Sequence, residues 1–578
     1  MRRTFGLLLA LACAVPAAAA TAAPATAASA SASAGNAVPV IVRYVPAQRS
    51  AAERAVTTAG GTVGAGLDLV ESFTATVPAS RLAAVATATG VRAVTPDARV
   101  RLAGKSWMVD SEQTWMAGVA DTTRTFETWK RSDPSGRKLT GRGVGVALID
   151  SGVSTVPGLD APGKVVNGPD LSFESAAPNL AHLDTFGHGT HMAGIIAGRD
   201  ADIAQGQEAA AANDPARFVG IAPDATIVNV KVAATDGAVD VSQVIAGIDW
   251  VVAHRDDAGL NIRVLNLSFG TDSVQDAQLD PLSHAVEAAW RNGIVVVVAV
   301  GNEGLATTRV TMPAANPYVL AVGAADSMGT AGRADDVVAS FTNKGNATRH
   351  ADLVAPGRSI VGLRDPNAFV DSNYPTGRLD SSLDPAQRYF KGSGTSQATA
   401  VVSGAVALLL QQRPNLTPDQ VKKLLTANAE PMPRGDAVAR GAGQLNIDRA
   451  AGAAVPKIGF AQTFAASTGL GSLEASRGGS HVADPVTGVE LTGEVDVTGE
   501  AWTPEQWAAA CTTGTNWNAR TWSARTWSSD NWSSRTWSGD SWSSAVWEGR
   551  TWSARTWSGR TWSGRTWSSS SWAGASWD

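Results

Sequence analysis

One serine stands in a setting that would present its hydroxyl as a nucleophile. Ser396 lies in residues 392–398, Gly-Ser-Gly-Thr-Ser-Gln-Ala, and an apolar stretch from Thr399 to Leu410 follows. The glycines predict a turn and the apolar run predicts a buried helix, so Ser396 would lie in the first helical turn, near the positive end of the helix dipole. A serine that only caps a buried helix has the same pattern, so other residues must decide.

Three further polar residues stand where apolar runs or glycine turns end. Asp150 follows the strand-like run 144–149, and Asn302 follows the run 294–300. His188 stands between two glycines, ahead of a run of small residues. In an α/β sheet such strand ends meet at one edge. An acid, an imidazole, an amide and an alcohol at that edge could carry out nucleophilic acyl transfer.

A metal site is the competing interpretation of the histidines. His188 and His191 are three residues apart, and His182 and Asp184 lie nearby. This spacing leaves a zinc site open. No glutamate follows in the arrangement typical of zinc metalloproteases, and His191 is more typical of a structural helix residue than of a second base.

Length and composition place these residues in a multi-domain exported chain. The chain has 578 residues, which is too long for one core, and a net charge of -5, which argues against nucleic acid as a partner. Residues 1–29 have the charged, apolar and small-residue regions of a secretory signal peptide, so we expect a secreted, extracellular protein. Two other interpretations of this segment stay open: a twin-arginine signal at Arg2-Arg3 and a lipid-attachment box at Ala10-Leu11-Ala12-Cys13. Association with the cell surface is a further alternative.

Four segments follow the predicted signal peptide. Residues 37–103 predict a small α+β domain of βαββαβ order, and residues 104–451 predict an α/β domain with a mostly parallel sheet, because Val- and Ile-rich strands alternate with helices. Residues 452–500, rich in Gly, Ala, Ser and Thr, predict a linker. Residues 501–578 form a low-complexity tail with a tryptophan at almost every fifth position.

The motifs around the four polar residues resemble those of the subtilisin-like (subtilase) serine proteases. They read Val-Ala-Leu-Ile-Asp-Ser-Gly at Asp150, His-Gly-Thr-His at His188, Gly-Asn-Glu-Gly at Asn302 and Gly-Thr-Ser-x-Ala at Ser396. The similarity covers about residues 143–451. It implies a three-layer fold, a catalytic triad of Asp150, His188 and Ser396, and an oxyanion hole that includes Asn302.

The resemblance also implies where substrate binds. Ser268, Phe269 and Gly270 match the strand that pairs with the substrate backbone, and Val300 and Gly301 match the opposite wall of the first specificity pocket. We therefore expect a preference for apolar residues before the cut bond. At three positions near the site the resemblance implies a specific feature: Gln397 replaces the usual Met, Ala400 stands where the family nearly always has Pro, and Met312-Pro313 aligns with a cis bond.

The expected partners are protein or peptide substrates and the chain's own propeptide. Residues 37–103 resemble the family's inhibitory propeptide, which is cut away on maturation. No cofactor is required for the chemistry, although the insertion 200–217 falls where relatives often build a calcium loop, so a structural calcium ion stays open. The arginines and tryptophans of the tail suit an anionic glycan or polymer of the cell envelope, and a disordered, self-associating tail is the alternative.

Two functions follow from these residues. The first is a secreted serine endopeptidase that is matured by cleavage of its propeptide. The second is a non-catalytic surface-binding protein that keeps a protease fold. Intact Asp150, His188, Asn302 and Ser396 favour the first.

Overall fold

The computed structural model describes residues 37–67, 72–96 and 113–514, except 176, 178, 329, 331, 458, 480 and 483–489. The chain divides into two compact units, residues 1–103 and 104–578, and each is treated by itself. The predicted signal peptide and the tryptophan array beyond residue 514 lie outside the described residues.

The first unit has the predicted βαββαβ order. Its strands form one antiparallel sheet in the order β2-β3-β1-β4, and a short 3-10 helix, Ala79–Arg81, precedes the second helix. Val42, Val56 and Phe73 are fully buried in its small core. The elements are β1 (Ala37–Tyr44), α1 (Arg49–Thr58), β2 (Thr62–Leu67), β3 (Ser72–Pro78), α2 (Leu82–Ala86) and β4 (Val91–Pro96).

The second unit is built on a mostly parallel sheet of eight strands. The order is β11-β10-β9-β8-β5-β7-β6, with β12 also pairing β10; only the β10–β11 pair is antiparallel. The strands are β5 (Gly145–Asp150), β6 (Val165–Asp170), β7 (Thr226–Lys231), β8 (Ile262–Leu267), β9 (Val295–Ala299), β10 (Leu320–Asp326), β11 (Val337–Val338) and β12 (Leu353–Pro356). A separate antiparallel pair consists of β13 (Ile360–Leu363) and β14 (Tyr389–Gly392).

Helices cover both faces of this sheet. A short 3-10 helix, Pro375–Gly377, accompanies them. The α-helices are α3 (Met116–Thr122), α4 (Thr125–Lys130), α5 (His188–Ala197), α6 (Glu208–Ala212), α7 (Val241–His254), α8 (Pro281–Arg291), α9 (Phe369–Asn373), α10 (Thr395–Gln412), α11 (Pro418–Ala427), α12 (Ile447–Gly452), α13 (Leu473–Arg477) and α14 (Pro504–Thr513).

The register of the central strands shows that the fold has three layers. Leu148 of β5 is the register partner of Asn266 of β8, and Asn266 accepts a hydrogen bond of 2.9 Å from Ser403 of α10. Gly247 of α7 packs near the next residue of β5, Ile149. Because successive residues of a strand face opposite sides, α10 and α7 lie on opposite faces. Helix α5 packs against α10, and α8 packs against α7.

The residues after the α/β domain are packed against it, which differs from the predicted linker. Leu473 and Val497 are fully buried, and Trp502 stacks on Trp507 with ring centroids 4.2 Å apart. Helix α14 packs on α8 and α7. The apolar side chains of this segment are few and widely spaced, so its average composition indicates a linker, although Leu473, Val482, Leu491 and Val497 are buried.

Among the described helices, none combines the length and the apolar character needed to cross a bilayer.

Candidate active site

Asp150 and His188 are in direct contact at the carboxyl end of β5. His188 Nδ1 lies 2.9 Å from Oδ1 and 3.0 Å from Oδ2 of Asp150, and both side chains are buried. An ionised carboxylate can only accept, so the imidazole donates its Nδ1–H. In the neutral ring this leaves Nε2 without a proton, which is the state that a general base requires.

Close packing of glycines brings the two residues together. Gly187 ends the preceding turn with a φ of 104°, and helix α5 begins at His188. A Cβ on Gly189 would lie 2.1 Å from the carbonyl oxygen of Gly152, which is two residues after Asp150. Only glycine therefore allows α5 to approach the end of β5 this closely.

Asn302 is held beside the nucleophile candidate. It follows β9, and its Oδ1 accepts from the backbone N–H of Thr395 at 2.8 Å and from the Thr395 hydroxyl at 2.9 Å. Ser396 is the next residue, in the first turn of α10, and is buried. Since Oδ1 accepts from Thr395, the amide group of Asn302 can act toward a further partner only as a donor, through Nδ2.

The predicted substrate-binding segments lie side by side, because β8 and β9 are neighbours in the sheet. Ser268, Phe269 and Gly270 follow β8, and Val300 and Gly301 follow β9. Phe269 and Val300 are fully buried, so the backbone of these segments, more than their side chains, is what a peptide could meet.

Thr311 is a residue that motif reasoning missed. A Cβ on Gly270 would lie 2.6 Å from Thr311 Oγ1, and a Cβ on Gly301 would lie 2.7 Å from Thr311 Cγ2. The threonine therefore lies between the two predicted walls. The only sequence signal was its position directly before Met312-Pro313, whose bond is cis as the resemblance implied.

A hydrogen-bond network connects Asp150 to a second buried carboxylate. Ser151 Oγ lies 3.1 Å from Asp150 Oδ1 and 2.7 Å from Asp184 Oδ1. Asp184 also accepts from the backbone N–H groups of Gly187 and Thr190, each at 2.7 Å, at the start of α5. Asp184 thus contacts both the residue after Asp150 and the helix that carries His188.

A third carboxylate makes this region sensitive to protonation. Ser154 Oγ donates to Asp365 Oδ2 at 2.5 Å and accepts from the backbone N–H of Asp184 at 3.2 Å. Burial, with the Asp184 carboxylate nearby, raises the pKa of Asp365 to about 8, and burial also raises the pKa of Asp184. Because two N–H groups at a helix start stabilise the charged form of Asp184, we assign the proton of the pair to Asp365.

His191 does not belong to this network of titrating groups. Burial, with His188 nearby, lowers its pKa to about 3, so the ring stays neutral. The ring packs against Gly362 of β13. Among the residues that the structure describes, no group of three or more His, Cys, Asp and Glu side chains could hold a metal ion, so the geometry does not support the zinc alternative.

The carboxylates of the insertion 200–217 do not fit a calcium site. Calcium needs several oxygen ligands that are available to it. Each of these carboxylates lies instead within 4 Å of a guanidinium group, and the pairs are Asp200–Arg388, Asp202–Arg217, Glu208–Arg199 and Asp214–Arg217.

The residue after Ser396 has an unusual environment. Gln397 is fully buried, and neither its Nε2 nor its Oε1 has a hydrogen-bond partner within the described part of the protein. Gln411, in the same helix, is a contrast, because its Oε1 accepts from the N–H groups of Thr140 and Gly141 at 2.8 Å. A buried amide without partners costs free energy.

We predict that Gln397→Met increases stability, since it replaces an unsatisfied amide with an apolar side chain of similar size. The expected gain is about 1–2 kcal/mol in the free energy of unfolding. Chemical denaturation would measure it. Gln411→Met is the matched control and should destabilise, because it removes an acceptor of backbone N–H groups. A Gln397→Met protein that is less stable than the parent would contradict this assignment.

Known proteins resemble both units of the chain. The profile of the subtilase family matches residues 141–454, and that of a putative peptidase inhibitor domain matches residues 14–97, starting within the predicted signal peptide. Serine protease AprX of Bacillus subtilis (strain 168) is 35% identical over 336 residues, which are 57% of this chain and 71% of that protein. Subtilisin E of the same organism is 33% identical over 315 residues, which are 54% of this chain and 66% of that protein. Subtilisin Savinase of Lederbergia lenta is also 33% identical over 315 residues, which are 54% of this chain and 93% of that protein.

The family match contains every predicted site residue and the whole parallel sheet. Together with the contact between Asp150 and His188, it favours the interpretation of Ser396 as a nucleophile over that of a helix cap. The chain belongs to the subtilase family of serine-type endopeptidases.

Proposed function

We propose that this protein is a secreted endopeptidase that cuts peptide bonds through a triad of Asp150, His188 and Ser396 and is matured by removal of residues 37–103. The observation that carries the proposal is the buried hydrogen bond from His188 Nδ1 to Asp150; His188 begins α5, and α5 packs against α10, the helix that carries Ser396. The match to a peptidase inhibitor domain supports a propeptide role for residues 37–103, and the signal-peptide pattern of residues 1–29 supports export.

The proposed reaction passes through an acyl-enzyme. Ser396 Oγ attacks the peptide carbonyl carbon while His188 Nε2 takes the hydroxyl proton. The C–N bond then breaks, and His188 returns that proton to the leaving amine. Water attacks the ester in the same way and releases the acid, which regenerates the Ser396 hydroxyl. Asp150 holds the ring orientation and stabilises the imidazolium. These steps use only groups of the chain, the substrate and water, so no cofactor enters them.

Two donors would stabilise the oxyanion of each tetrahedral intermediate. The N–H of Ser396 lies in the first turn of α10, where no earlier helical carbonyl accepts it. The Nδ2 of Asn302 is the second donor, since its Oδ1 is held by Thr395. Loss of one such donor typically lowers kcat about 100- to 1,000-fold.

The segments after β8 and β9 would bind the substrate chain. An extended peptide can pair with the backbone of Ser268–Gly270 and place its side chain before the cut bond between Gly270 and Gly301, above Thr311. The apolar preference that the family resemblance implies applies to this side chain. Glu303, exposed beside this position, would disfavour an acidic one.

The tail is assigned a separate role within this proposal. Its arginines and tryptophans would attach the enzyme to anionic glycan or polymer of the cell envelope. A non-catalytic surface-binding protein on the same fold is the second candidate, and the labelling experiment below separates the two.

Asp184 would act as a positioning residue in this reaction. The Ser151 hydroxyl has one proton to donate. We assign that hydrogen bond to Asp184, because Ser151 Oγ lies 2.7 Å from Asp184 Oδ1 and 3.1 Å from Asp150 Oδ1. Asp184 also adds negative charge near the Asp150–His188 pair. The groups around Asp184 are Asp150 on β5, His188 on α5, Asp365 after β13, and Lys231 at the end of β7 with its partner Glu174.

The first prediction from the proposed reaction concerns the nucleophile. A fluorophosphonate should label the wild-type protein at Ser396 and should not label Ser396→Ala, as read by mass spectrometry of the labelled peptide. Ser396→Ala made in isolation should also keep residues 37–103 attached. An unlabelled wild-type protein would contradict the triad and favour the binding-protein alternative, and normal trimming of Ser396→Ala without added protease would count against self-processing.

The second prediction concerns specificity. Among matched peptides with Leu, Phe, Lys or Glu before the cut bond, kcat/KM should be highest for Leu or Phe and lowest for Glu. The apolar preference is the one that the family resemblance implies, and the Glu303 carboxylate, 2.7 Å from where a Cβ on Gly301 would lie, disfavours Glu. Best cleavage after Lys would refute the expected pocket.

The third prediction concerns pH. Asp184→Asn removes a negative charge beside the Asp150–His188 pair and lets Ser151 donate to Asp150, and both effects weaken the stabilisation of positive charge at the pair. The acid limb of the kcat/KM profile should therefore move to lower pH. Asp365→Asn is the control and should leave the limb in place, because Asp365 is already protonated there. A fall in activity for Asp184→Asn with no shift of the limb would show a structural role only.

A further inference from the structure

The segment that follows the family match runs along the side of the domain that carries the substrate-binding segments. We call residues 467–514 the C-terminal strap, of which 480 and 483–489 are not described. It begins where Ser467 N–H donates to Glu287 of α8 at 3.0 Å, and it ends where α14 packs on α8 and α7. The subtilase match ends before it, at residue 454.

The strap holds the loop that continues directly from Ser268–Gly270. Thr271 Oγ1 donates to the carbonyl of Ser476 at 2.7 Å, and the N–H of Gly479 donates to Asp272 Oδ1, also at 2.7 Å. Gln275 both donates to and accepts from the backbone of Ser472, at 3.1 and 2.8 Å. These contacts fix the loop immediately after the residues that are proposed to pair with substrate.

The opposite side of the same loop is held by the segment that carries Thr311. Thr271 N–H donates to the Met312 carbonyl at 2.8 Å, and Met312 N–H donates to the Thr271 carbonyl at 2.9 Å. The Arg309 guanidinium donates to the carbonyl of Ser273 at 2.7 Å. The loop therefore lies between the Thr311 segment and the strap, and its position depends on both.

Arg477 attaches the strap to a second element of the domain. Its side chain is completely buried. Its Nε donates to Asp240 Oδ1 at 2.7 Å, and its two terminal nitrogens donate to the carbonyls of Gly493 at 2.7 Å and Val495 at 2.5 Å. Asp240 is the N-cap of α7, where its Oδ2 accepts from Ser242 N–H at 2.9 Å.

We propose that the C-terminal strap, anchored by Arg477, positions the substrate-binding segment Ser268–Gly270 and thereby sets the affinity for extended peptides. The strap connects the loop after β8 to the start of α7, which follows β7, so it joins the elements on either side of β5 and Asp150. Arg477 and Thr271 are positioning residues, since neither is placed at the reacting atoms. The inference rests on the proposed function, because it concerns how that site binds its substrate.

Two variants weaken the strap to different degrees. Arg477→Lys keeps a positive charge for Asp240 but loses the planar fork that reaches two carbonyls at once. Thr271→Val removes only the hydroxyl that reaches Ser476 and keeps the backbone pairing with Met312. Arg137→Lys is the matched control, because Arg137 is an exposed arginine paired with Asp133, away from the strap.

The test compares a long substrate with a small probe. For a tetrapeptide amide, kcat/KM should fall about tenfold in Arg477→Lys and less in Thr271→Val, mainly through KM, because misplaced binding groups lose orientation. The rate of fluorophosphonate labelling at Ser396 should stay within about twofold of wild type in both. Arg137→Lys should match wild type in both measurements. If Arg477→Lys does not fold, the Thr271→Val result decides.

Hydrogen exchange supplies a readout that does not depend on activity. In Arg477→Lys, peptides that cover residues 268–279 should exchange faster than in the wild type, while the exchange rates of peptides around Asp150 and His188 should not change. If Arg477→Lys does not fold, the same result is expected for Thr271→Val. Unchanged exchange at 268–279 with wild-type tetrapeptide cleavage would overturn the inference, as would a loss of labelling in proportion to the loss of cleavage. Failure of the wild-type protein to label would instead count against the proposed function, and exchange alone would then decide the strap's role.

Discussion

The site depends on one buried hydrogen bond, from His188 Nδ1 to Asp150. Removing a carboxylate from water is costly unless donors replace the lost solvent. Two donors take the place of water at one carboxylate oxygen, since Asp150 Oδ1 accepts the backbone N–H of Ser151 at 2.8 Å as well as the His188 Nδ1–H. The same bond selects the tautomer of the ring. Each proton abstraction proposed for His188 requires that tautomer.

The parallel sheet explains why residues so distant in sequence meet. Strands β5, β8 and β9 are consecutive neighbours, so Asp150 at the end of β5, Ser268 after β8 and Asn302 after β9 lie at one edge of the sheet. The two helices that carry the remaining groups begin at that edge and pack against each other. The buried network through Ser151 and Asp184 then connects the strand that ends in Asp150 to the helix that begins at His188.

Local signals were sufficient to predict most of the fold. The Val-rich runs became strands, and the capping box that the sequence Thr417-Pro418-Asp419-Gln420 indicates is present, with Gln420 N–H donating to Thr417 Oγ1 at 3.2 Å. Motifs identified Asp150, His188, Asn302 and Ser396 because each stands in a short run of distinctive residues. Thr311 and Asp184 stand in no such run, and their importance comes from contacts between segments that are distant along the chain. The packed strap was missed for the same reason, since a buried Arg477 can be recognised only once Asp240 lies beside it.

The most direct measurement of the central claim is a crystal structure of the mature protein with a peptide boronic acid. The account predicts a bond from Ser396 Oγ to boron, His188 Nε2 within hydrogen-bond reach of the adduct, and a boronate oxygen about 3 Å from Asn302 Nδ2 and the Ser396 N–H. An adduct on another residue, or one at Ser396 with the His188 ring turned away from it and no longer bonded to Asp150, would contradict it.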